Sequence, residues 1–335
     1  MASDNPMIDA FDPDAPADHE GLFGLPHGVD DARVVVVPVP MEATTSFGGG
    51  TSGAPAAILE ASYQVDLSLP HFGDPWRAGI ALDNVAPAIA EACAAAAIAA
   101  SAAREGDPEA FATVNRASAQ IAEALHERVD TLLSGGQIPA ILGGDHSVPL
   151  GAIQAAAARH PGLGILHVDA HADLRVAYEG FEQSHASIFF NVLKDPAVAN
   201  VLQVGLRDLG RAERTLADRE PRIRWLTDDD LRRAVHRGES VSAILGSALK
   251  HLPETIWVSF DIDGLEPALC PGTGTPVPGG LTWHEAMTLL ELVAATGRRV
   301  VGFDLCEVGP GEWDANVGAR LLYTLCGLAV LSQGD

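Results

Sequence analysis

Lysine is nearly absent from the sequence, and the resulting charge balance excludes two classes of partner. Only two of the 335 residues are lysines, Lys194 and Lys250, and 21 basic residues stand against 45 acidic ones. The formal net charge is −24 at pH 7. Nucleic acids and anionic membranes attract proteins through basic patches, and this sequence has no basic stripe. We therefore expect neither as a partner, whereas a cationic substrate or metal ions would be compatible with the charge.

Cysteines are few, and a membrane-spanning run is missing. The N-terminus is acidic and lacks the apolar segment of a signal peptide. The most apolar stretch, residues 85–103, is mostly alanine and carries Glu91, so it predicts a surface helix rather than a membrane span. The cysteines form no CxxC pair, which favours reduced thiols in a cytoplasmic protein over a disulfide framework. They are Cys93, Cys270, Cys306 and Cys326.

Short apolar runs alternate with helical patterns along most of the chain. Continuously apolar runs are typical of parallel strands that are covered on both faces. They predict strands at 33–39, 139–142, 164–168, 201–204, 255–260 and 299–303, and helical spacing predicts helices at 109–134, 148–159, 228–236, 240–251, 283–295 and 315–332. This alternation predicts the α/β class with one doubly wound, mainly parallel sheet. We expect a single domain over residues 31–335, preceded by an Asp/Pro-rich, loosely packed extension over residues 1–30.

Acidic residues and histidines follow three of the predicted strands directly. Ligands of such sheets bind at the carboxyl ends of the strands. On an extended segment, residues two apart point to the same side, so each group of alternating residues faces one way. The sequence therefore predicts one cluster of four carboxylates and two imidazoles, made of His146, Asp169, His171, Asp173, Asp261 and Asp263.

Four carboxylates in one place would repel one another, and burying them unpaired would be costly. Two divalent cations would balance their charge. Carboxylate and imidazole ligands without thiolate favour Mn²⁺, with Ni²⁺, Co²⁺, Fe²⁺ and Zn²⁺ as alternatives. A pair of such ions can activate a water molecule as a nucleophile at neutral pH. His167 lies one step inside its strand, where a hydrogen-bonded core position is expected rather than a metal ligand.

Three sequence blocks resemble the signatures of the ureohydrolase family, which includes arginase, agmatinase and formimidoylglutamase. The blocks are GGDHS, DAHADLR and SFDIDGLEPALCPGTGTPVPGGLT, and the glycine-rich segment 46–58 resembles a further family loop. The resemblance implies a three-layer α/β/α fold, a trimeric or hexameric assembly, and a binuclear manganese centre that hydrolyses a guanidino or formimino C–N bond. It implies that His146, Asp169, Asp173 and Asp261 bind one ion, and that Asp169, His171, Asp261 and Asp263 bind the other.

The same resemblance assigns roles in catalysis to three residues. Glu307 matches the glutamate that holds the guanidinium, and a carboxylate can accept two parallel N–H bonds from that planar cation. His185 matches a histidine that transfers a proton to the departing amine, a task suited to its pKa. Asp173 is expected to serve in catalysis as well as in metal binding. Asp304 lies nearer the sheet, where a structural role is expected.

The substrate is left open between an amine and an acid. Arg175 would pair with a substrate carboxylate, as in formimidoylglutamate or a guanidino acid, or would form an ion pair with Glu179 or Glu182. In the latter case Tyr178 and Phe181 would form a small aromatic pocket suited to agmatine or free guanidine, with Glu179 or Glu182 meeting the agmatine ammonium. The acid with which arginases bind the substrate ammonium falls at Gly210, which disfavours arginine. We favour a small cationic guanidino compound.

Two further classes of function compete with this interpretation. One is a non-catalytic subunit that supports an active partner, which the complete set of ligands and Glu307 disfavour. The other is a deacetylase-type hydrolase on the same fold, which the spacing of Asp261 and Asp263 and the presence of Glu307 disfavour.

Overall fold

One parallel sheet of eight strands forms the centre of the molecule in the computed structural model, which describes residues 11–17 and 20–334. The spatial order is β2-β1-β3-β8-β7-β4-β5-β6. The strands are β1 Val34–Val39, β2 Ile80–Leu82, β3 Ile138–Gly143, β4 Leu163–Val168, β5 Val198–Val204, β6 Ile223–Leu226, β7 Thr255–Asp261 and β8 Arg299–Cys306. All six predicted strands are present, which confirms the α/β prediction. The two that the sequence did not indicate are the short edge strands β2 and β6.

Helices cover both faces of this sheet. They are α1 Ala54–Ser62, α2 Pro87–Arg104, α3 Pro108–Ser134, α4 Leu150–Arg159, α5 Ile188–Val192, α6 Arg211–Ala217, α7 Asp228–His236, α8 Val241–Leu249, α9 Trp283–Ala295 and α10 Glu312–Leu331. Along β1, Val34 and Val36 join the core under α1 and α7–α10, and Val35 and Val37 join the core under α2–α6. The strands are therefore buried on both sides, as their continuous apolar runs predict. The fold has three layers.

The alanine-rich segment 85–103 forms α2, as predicted. Its buried face consists of small residues that include Ala92, Ala96 and Ala100, and these allow α2 to lie close against α3. Ile98, on the opposite face, is exposed. Among the described residues no helix has the length and apolar character needed to cross a bilayer.

Part of the predicted N-terminal extension packs into the core. Leu22, Phe23 and Leu25 are buried, and the Phe23 ring lies 4.8 Å from the Tyr323 ring between centroids. The Phe23 backbone N–H donates to Ser62 Oγ at 2.9 Å. This short apolar cluster holds the described residues after 20 against α1 and α10, where the Asp/Pro-rich composition predicts loose packing. Residues 1–10, 18 and 19 of the same segment lie outside the described residues.

Candidate metal centre and substrate pocket

The six candidate ligands come together at the carboxyl ends of adjacent strands. His146 follows β3, Asp169 to Asp173 follow β4, and Asp261 is the last residue of β7. Strands β3, β8, β7 and β4 are consecutive in the sheet and parallel, so their carboxyl ends share one edge. All but His171, which is three-quarters buried, are almost completely excluded from solvent. The strand order explains why residues more than a hundred positions apart meet.

A first group of ligand atoms surrounds the His146 ring. His146 Nδ1 lies 3.2 Å from Asp169 Oδ2, 3.2 Å from Asp173 Oδ2 and 3.4 Å from Asp261 Oδ2. One ring nitrogen cannot donate its single proton well to three carboxylates at once. A divalent cation placed among these atoms would accept electron pairs from all four. The geometry therefore fits a metal ion better than a hydrogen-bond network.

A second group surrounds the His171 ring. His171 Nδ1 lies 3.1 Å from Asp263 Oδ2 and 3.4 Å from Asp169 Oδ1. Asp169 thus turns one oxygen toward each histidine. Asp261 connects the groups a second time, because its Oδ1 accepts the Asp263 backbone N–H at 2.9 Å. The two groups are adjacent, and Asp169 is common to both.

Electrostatics at this edge of the sheet also indicate cations. Burial, followed by the charge of Asp169, raises the pKa of the Asp173 carboxyl to about 7. Burial and the neighbouring charge of Asp263 raise the pKa of Asp261 well above its usual range. Asp173 also has a φ of +53°, in the left-handed region that non-glycine residues rarely adopt. Divalent ions would offset both the burial of these charges and the repulsion between them, the two causes of the raised pKa values.

A layer of polar residues behind the ligands fixes their orientation. His146 Nε2 lies 3.0 Å from Ser259 Oγ, and that hydroxyl donates to Asp304 Oδ1 at 2.8 Å. His167 is fully buried, with Nε2 2.8 Å from Asp169 Oδ2 and Nδ1 2.8 Å from Gln203 Nε2. His167 and Asp304 therefore contact ligands from behind, in the positions expected from the sequence.

Backbone geometry at Gly144 brings His146 into place. A Cβ at Gly144 would lie 1.9 Å from the Met41 carbonyl oxygen, so only glycine permits this approach of the loop after β3 to the loop after β1. The Gly144 backbone N–H donates to Val39 at 3.0 Å, and its carbonyl accepts the Glu307 N–H at 2.8 Å. The turn thus connects the segments that follow β1, β3 and β8.

Glu307 lies beside the first group of ligands. Its carboxylate is buried, and Oε1 accepts the His146 backbone N–H at 2.9 Å. Its φ of +60° is again left-handed. Burial, with the nearby charge of Asp145, raises the pKa of the Glu307 carboxyl well above its usual range. A cationic partner would stabilise the ionised form of this buried carboxylate.

A cavity of about 340 Å³ opens above the ligands. His171 and Asp173 form part of its floor, and His185, Arg175 and Tyr178 line its wall. Burial lowers the pKa of His185. The Tyr178 ring meets the His185 ring edge-on, with 5.7 Å between centroids. The cavity therefore connects two of the candidate ligands to three of the residues expected on the substrate side, whereas Glu307 is not among the residues that line it.

Three aspects of the expected pocket differ in the structure. Phe181 is fully buried and packs on Phe111 in the core, because the tight turn from Tyr178 to Phe181 sends the two rings in different directions. Glu179, at the exposed tip of that turn with a φ of +49°, does not line the cavity. The ion pair expected with Glu179 or Glu182 is also missing from the described contacts of Arg175, whose guanidinium carbon instead lies 4.6 Å from the Tyr178 ring centroid.

Sequence reasoning missed several residues of the cavity wall. Asp208 and Glu213 line it, together with Ser46, Phe47 and Thr275. Both Glu213 oxygens are occupied, since they accept the Leu174 N–H at 3.1 Å and the Gly210 N–H at 2.8 Å. Asp208 is exposed toward the cavity, and its only signal was its position in the loop that follows β5.

Comparisons with known proteins find relatives along almost the whole chain. The arginase family profile matches residues 32–328. The N(1)-aminopropylagmatine ureohydrolase of Thermus thermophilus is 33% identical over 308 residues, covering 91% of this chain and 93% of that protein. The agmatinase of Bacillus anthracis is 31% identical over 282 residues, covering 84% and 85%.

A solved structure supports the fold. The agmatine ureohydrolase of Thermoplasma volcanium superposes with a TM-score of 0.72 at 21% identity, covering 94% of this chain and 96% of that one. The family profile spans almost the whole chain and includes every candidate ligand. The protein belongs to the arginase family.

Proposed function

We propose that this protein is a hydrolase with two divalent metal ions that cleaves a C–N bond of a guanidino compound to give urea and an amine. The observation that carries the proposal is the pair of carboxylate and imidazole groups around His146 and His171, which share the buried Asp169. They lie next to the cavity, because His171 and Asp173 line it. The ureohydrolase names of the relatives support the same reaction.

The residues present suit two divalent cations. His146, Asp169, Asp173 and Asp261 would hold one ion, and Asp169, His171, Asp261 and Asp263 the other. We propose Mn²⁺, with Ni²⁺ as the alternative, because nitrogen and oxygen donors without thiolate suit both ions. When bound, the ions would supply a water activated as a nucleophile.

Glu307 and His185 would act on the substrate itself. The buried Glu307 carboxylate would accept N–H bonds from the guanidinium and place its central carbon over the ligands. His185 stands at the cavity wall and would give a proton to the departing nitrogen. Asp173 faces the same cavity and would orient the water that attacks.

Charge in the cavity favours a substrate with a second, distal cation, as in agmatine. Asp208 is exposed to the cavity, and no ion pair of this carboxylate is found in the described part of the chain. We therefore propose that Asp208, rather than Glu179, contacts the substrate ammonium. Tyr178 and Phe47 provide apolar surface for the methylene chain between the two charged ends.

Urea release from agmatine, aminopropylagmatine, guanidine, guanidinobutyrate, arginine and formimidoylglutamate, with Mn²⁺ or Ni²⁺, tests the proposal. We expect agmatine-like amines to be the best substrates. Asp208→Asn should raise KM for agmatine by about two- to fivefold, because an exposed ion pair contributes about 0.5–1 kcal/mol. Free guanidine has no distal cation and should be unaffected. Loss of urea release from every substrate at full metal loading would contradict the proposal.

A guanidino acid is the second candidate substrate, because Arg175 lines the same cavity without a carboxylate partner among its described contacts. Arg175→Met keeps the apolar stem over Tyr178 and removes the charge. If the acid is the substrate, this change should abolish guanidinobutyrate hydrolysis and leave guanidine hydrolysis intact. If agmatine is the substrate, its turnover should change little.

We also propose that the enzyme is a cytoplasmic homo-oligomer, a trimer or hexamer, with one catalytic domain over residues 31–335 after an extension at 1–30. The four cysteines are free and buried, which is compatible with a reducing compartment. Sedimentation of the purified protein tests the assembly. A protein that binds no metal and releases no urea would favour the non-catalytic subunit instead.

A further inference from the structure

A threonine in the loop after β1 contacts the histidine that would transfer the proton. Thr44 is fully buried, and its Oγ1 accepts the His185 backbone N–H at 3.0 Å. The same oxygen lies 3.5 Å from His185 Nδ1. Thr44 and His185 are 141 positions apart in the chain, so the fold alone brings them together.

The proton of the Thr44 hydroxyl is directed away from His185. Thr44 Oγ1 donates to Asp145 Oδ2 at 2.9 Å, and the Thr44 backbone N–H donates to the same oxygen at 3.0 Å. The other oxygen, Asp145 Oδ1, accepts from the backbone and the hydroxyl of Ser147. All four partners of Asp145 are donors, so this buried carboxylate acts only as an acceptor.

A hydroxyl has one proton and two lone pairs. Because the Thr44 proton goes to Asp145, the oxygen can only accept from His185. It can therefore bond to Nδ1 only if Nδ1 carries the ring proton. The other ring nitrogen, Nε2, then has a free lone pair with which to collect a proton and pass it on.

We propose that Thr44, held by Asp145, is a positioning residue that fixes His185 with its proton on Nδ1 and leaves Nε2 as the proton-transfer atom. The proposal rests on the proposed function of His185. In each turnover Nε2 takes a proton from the attacking water, whose oxygen bonds to the guanidino carbon. Nε2 then gives that proton to the departing nitrogen as the C–N bond breaks, so that the ring is neutral again at the end. Thr44 touches neither the substrate nor the reacting atoms.

A second hydroxyl near the ring offers the competing arrangement. Ser184 Oγ lies 3.4 Å from His185 Nδ1 and accepts the Ala186 N–H at 3.1 Å. If Ser184 donated to Nδ1, the ring proton would be on Nε2 instead. An accepting Thr44 and a donating Ser184 therefore predict opposite tautomers, and the tautomer can be measured.

Thr44→Val keeps the shape of the side chain and removes the hydroxyl, whereas Thr44→Ser retains it. We expect Thr44→Val to lower kcat by about 10- to 100-fold, within the roughly 10²–10⁴-fold that acid–base catalysis supplies, at nearly unchanged KM. Thr44→Ser should retain most of the activity. Thr45→Val is the matched control, because the hydroxyl of this neighbour contacts Arg104 rather than His185.

The same substitution in a His185→Ala background separates positioning from general damage. With His185 absent, Thr44→Val should cause no further loss of kcat. An equal loss in both backgrounds would overturn the proposal, since Thr44 would then act on the fold or on metal content. Metal analysis of each variant accompanies the kinetics.

Nitrogen NMR of histidine-labelled protein provides a readout that is independent of turnover. With the His185→Ala spectrum for assignment, wild-type His185 should show a protonated Nδ1, and Thr44→Val should lose that preference. A protonated Nε2 in the wild type would overturn the proposal in favour of Ser184. Since this spectrum needs no substrate, it tests Thr44 even if no guanidino compound is hydrolysed, a result that would refute only the proposed function.

Discussion

Divalent cations should stabilise the folded protein, and the size of this stabilisation should depend on which candidate ligand is replaced. Asp169 directs one oxygen toward His146 and the other toward His171, whereas Asp173 contacts only the first group. Asp169→Asn should therefore weaken both sites, and Asp173→Asn only the first. Each substitution replaces one carboxylate with an amide, so both remove one negative charge.

The size of the effect follows from mass action. At a free cation concentration of 100 times Kd, one site stabilises the native state by about 2.7 kcal/mol, so two sites contribute about 5.4 kcal/mol. For 335 residues, an unfolding entropy of about 2.1 cal/mol/K per residue gives about 0.7 kcal/mol/K. The midpoint of thermal unfolding should then rise by about 8 °C in the wild type and by about 4 °C in Asp173→Asn. Asp169→Asn should show little specific rise.

Thermal unfolding of chelated protein, with and without added Mn²⁺, measures these shifts, and metal analysis gives the stoichiometry. A chain with a net charge of −24 also gains stability from any divalent salt that screens its surface. The Asp169→Asn protein retains this general gain and so measures it. Asp66→Asn, at an exposed position, is a matched control for the loss of one charge. An equal rise in the wild type and Asp169→Asn would refute the site, because the cations would then act on the surface alone.

Two further predictions concern the residues around the ligands. Glu307→Gln keeps the shape of the side chain and removes the charge. Since hydrogen bonds to charged groups contribute about 1.5–3 kcal/mol, kcat/KM for guanidino compounds should fall by about 10- to 150-fold at unchanged metal content. A wild-type kcat/KM in a urea-release assay would contradict the role of Glu307. Gly144→Ala should lower the unfolding temperature and the metal content together, because the added Cβ would lie 1.9 Å from the Met41 carbonyl oxygen. Gly28→Ala is the control and should change neither quantity, because no atom lies within 4 Å of its added Cβ.

The sequence predicted the ligand cluster because every ligand lies within a few residues of the end of a strand. The apolar runs locate those ends. Because successive side chains on an extended segment point to opposite sides, Asp169, His171 and Asp173 are expected to point the same way. The edge strands β2 and β6 were not predicted, because neither forms an apolar run long enough to indicate a strand. They have only three and four residues, and β6 contains the polar Arg224 between Ile223 and Trp225.

The cavity wall was predicted less well, because it consists of loops whose neighbours are set by the order of the strands. Tyr178 and Phe181 are equally aromatic in the sequence, and only the turn between them decides that one lines the cavity and the other packs on Phe111. Asp208 lies beside His171 through an isolated parallel bridge that spacing along the chain does not indicate.

The position of Thr44 shows why residues around a reacting group are harder to infer than the group itself. Thr44 reaches Asp145 because β1 lies next to β3, whose following loop carries that residue. Nothing in the residues around Thr44 marks it out, since Thr45 is equally hydroxylated and its hydroxyl instead contacts Arg104. Ligands recur in short patterns because several must converge on one ion, whereas a single hydrogen bond to the back of an imidazole can come from any loop that the fold brings near. Residues that hold a candidate proton-transfer group in place, such as Thr44, therefore require the structure, whereas the candidate metal ligands could be predicted from the sequence.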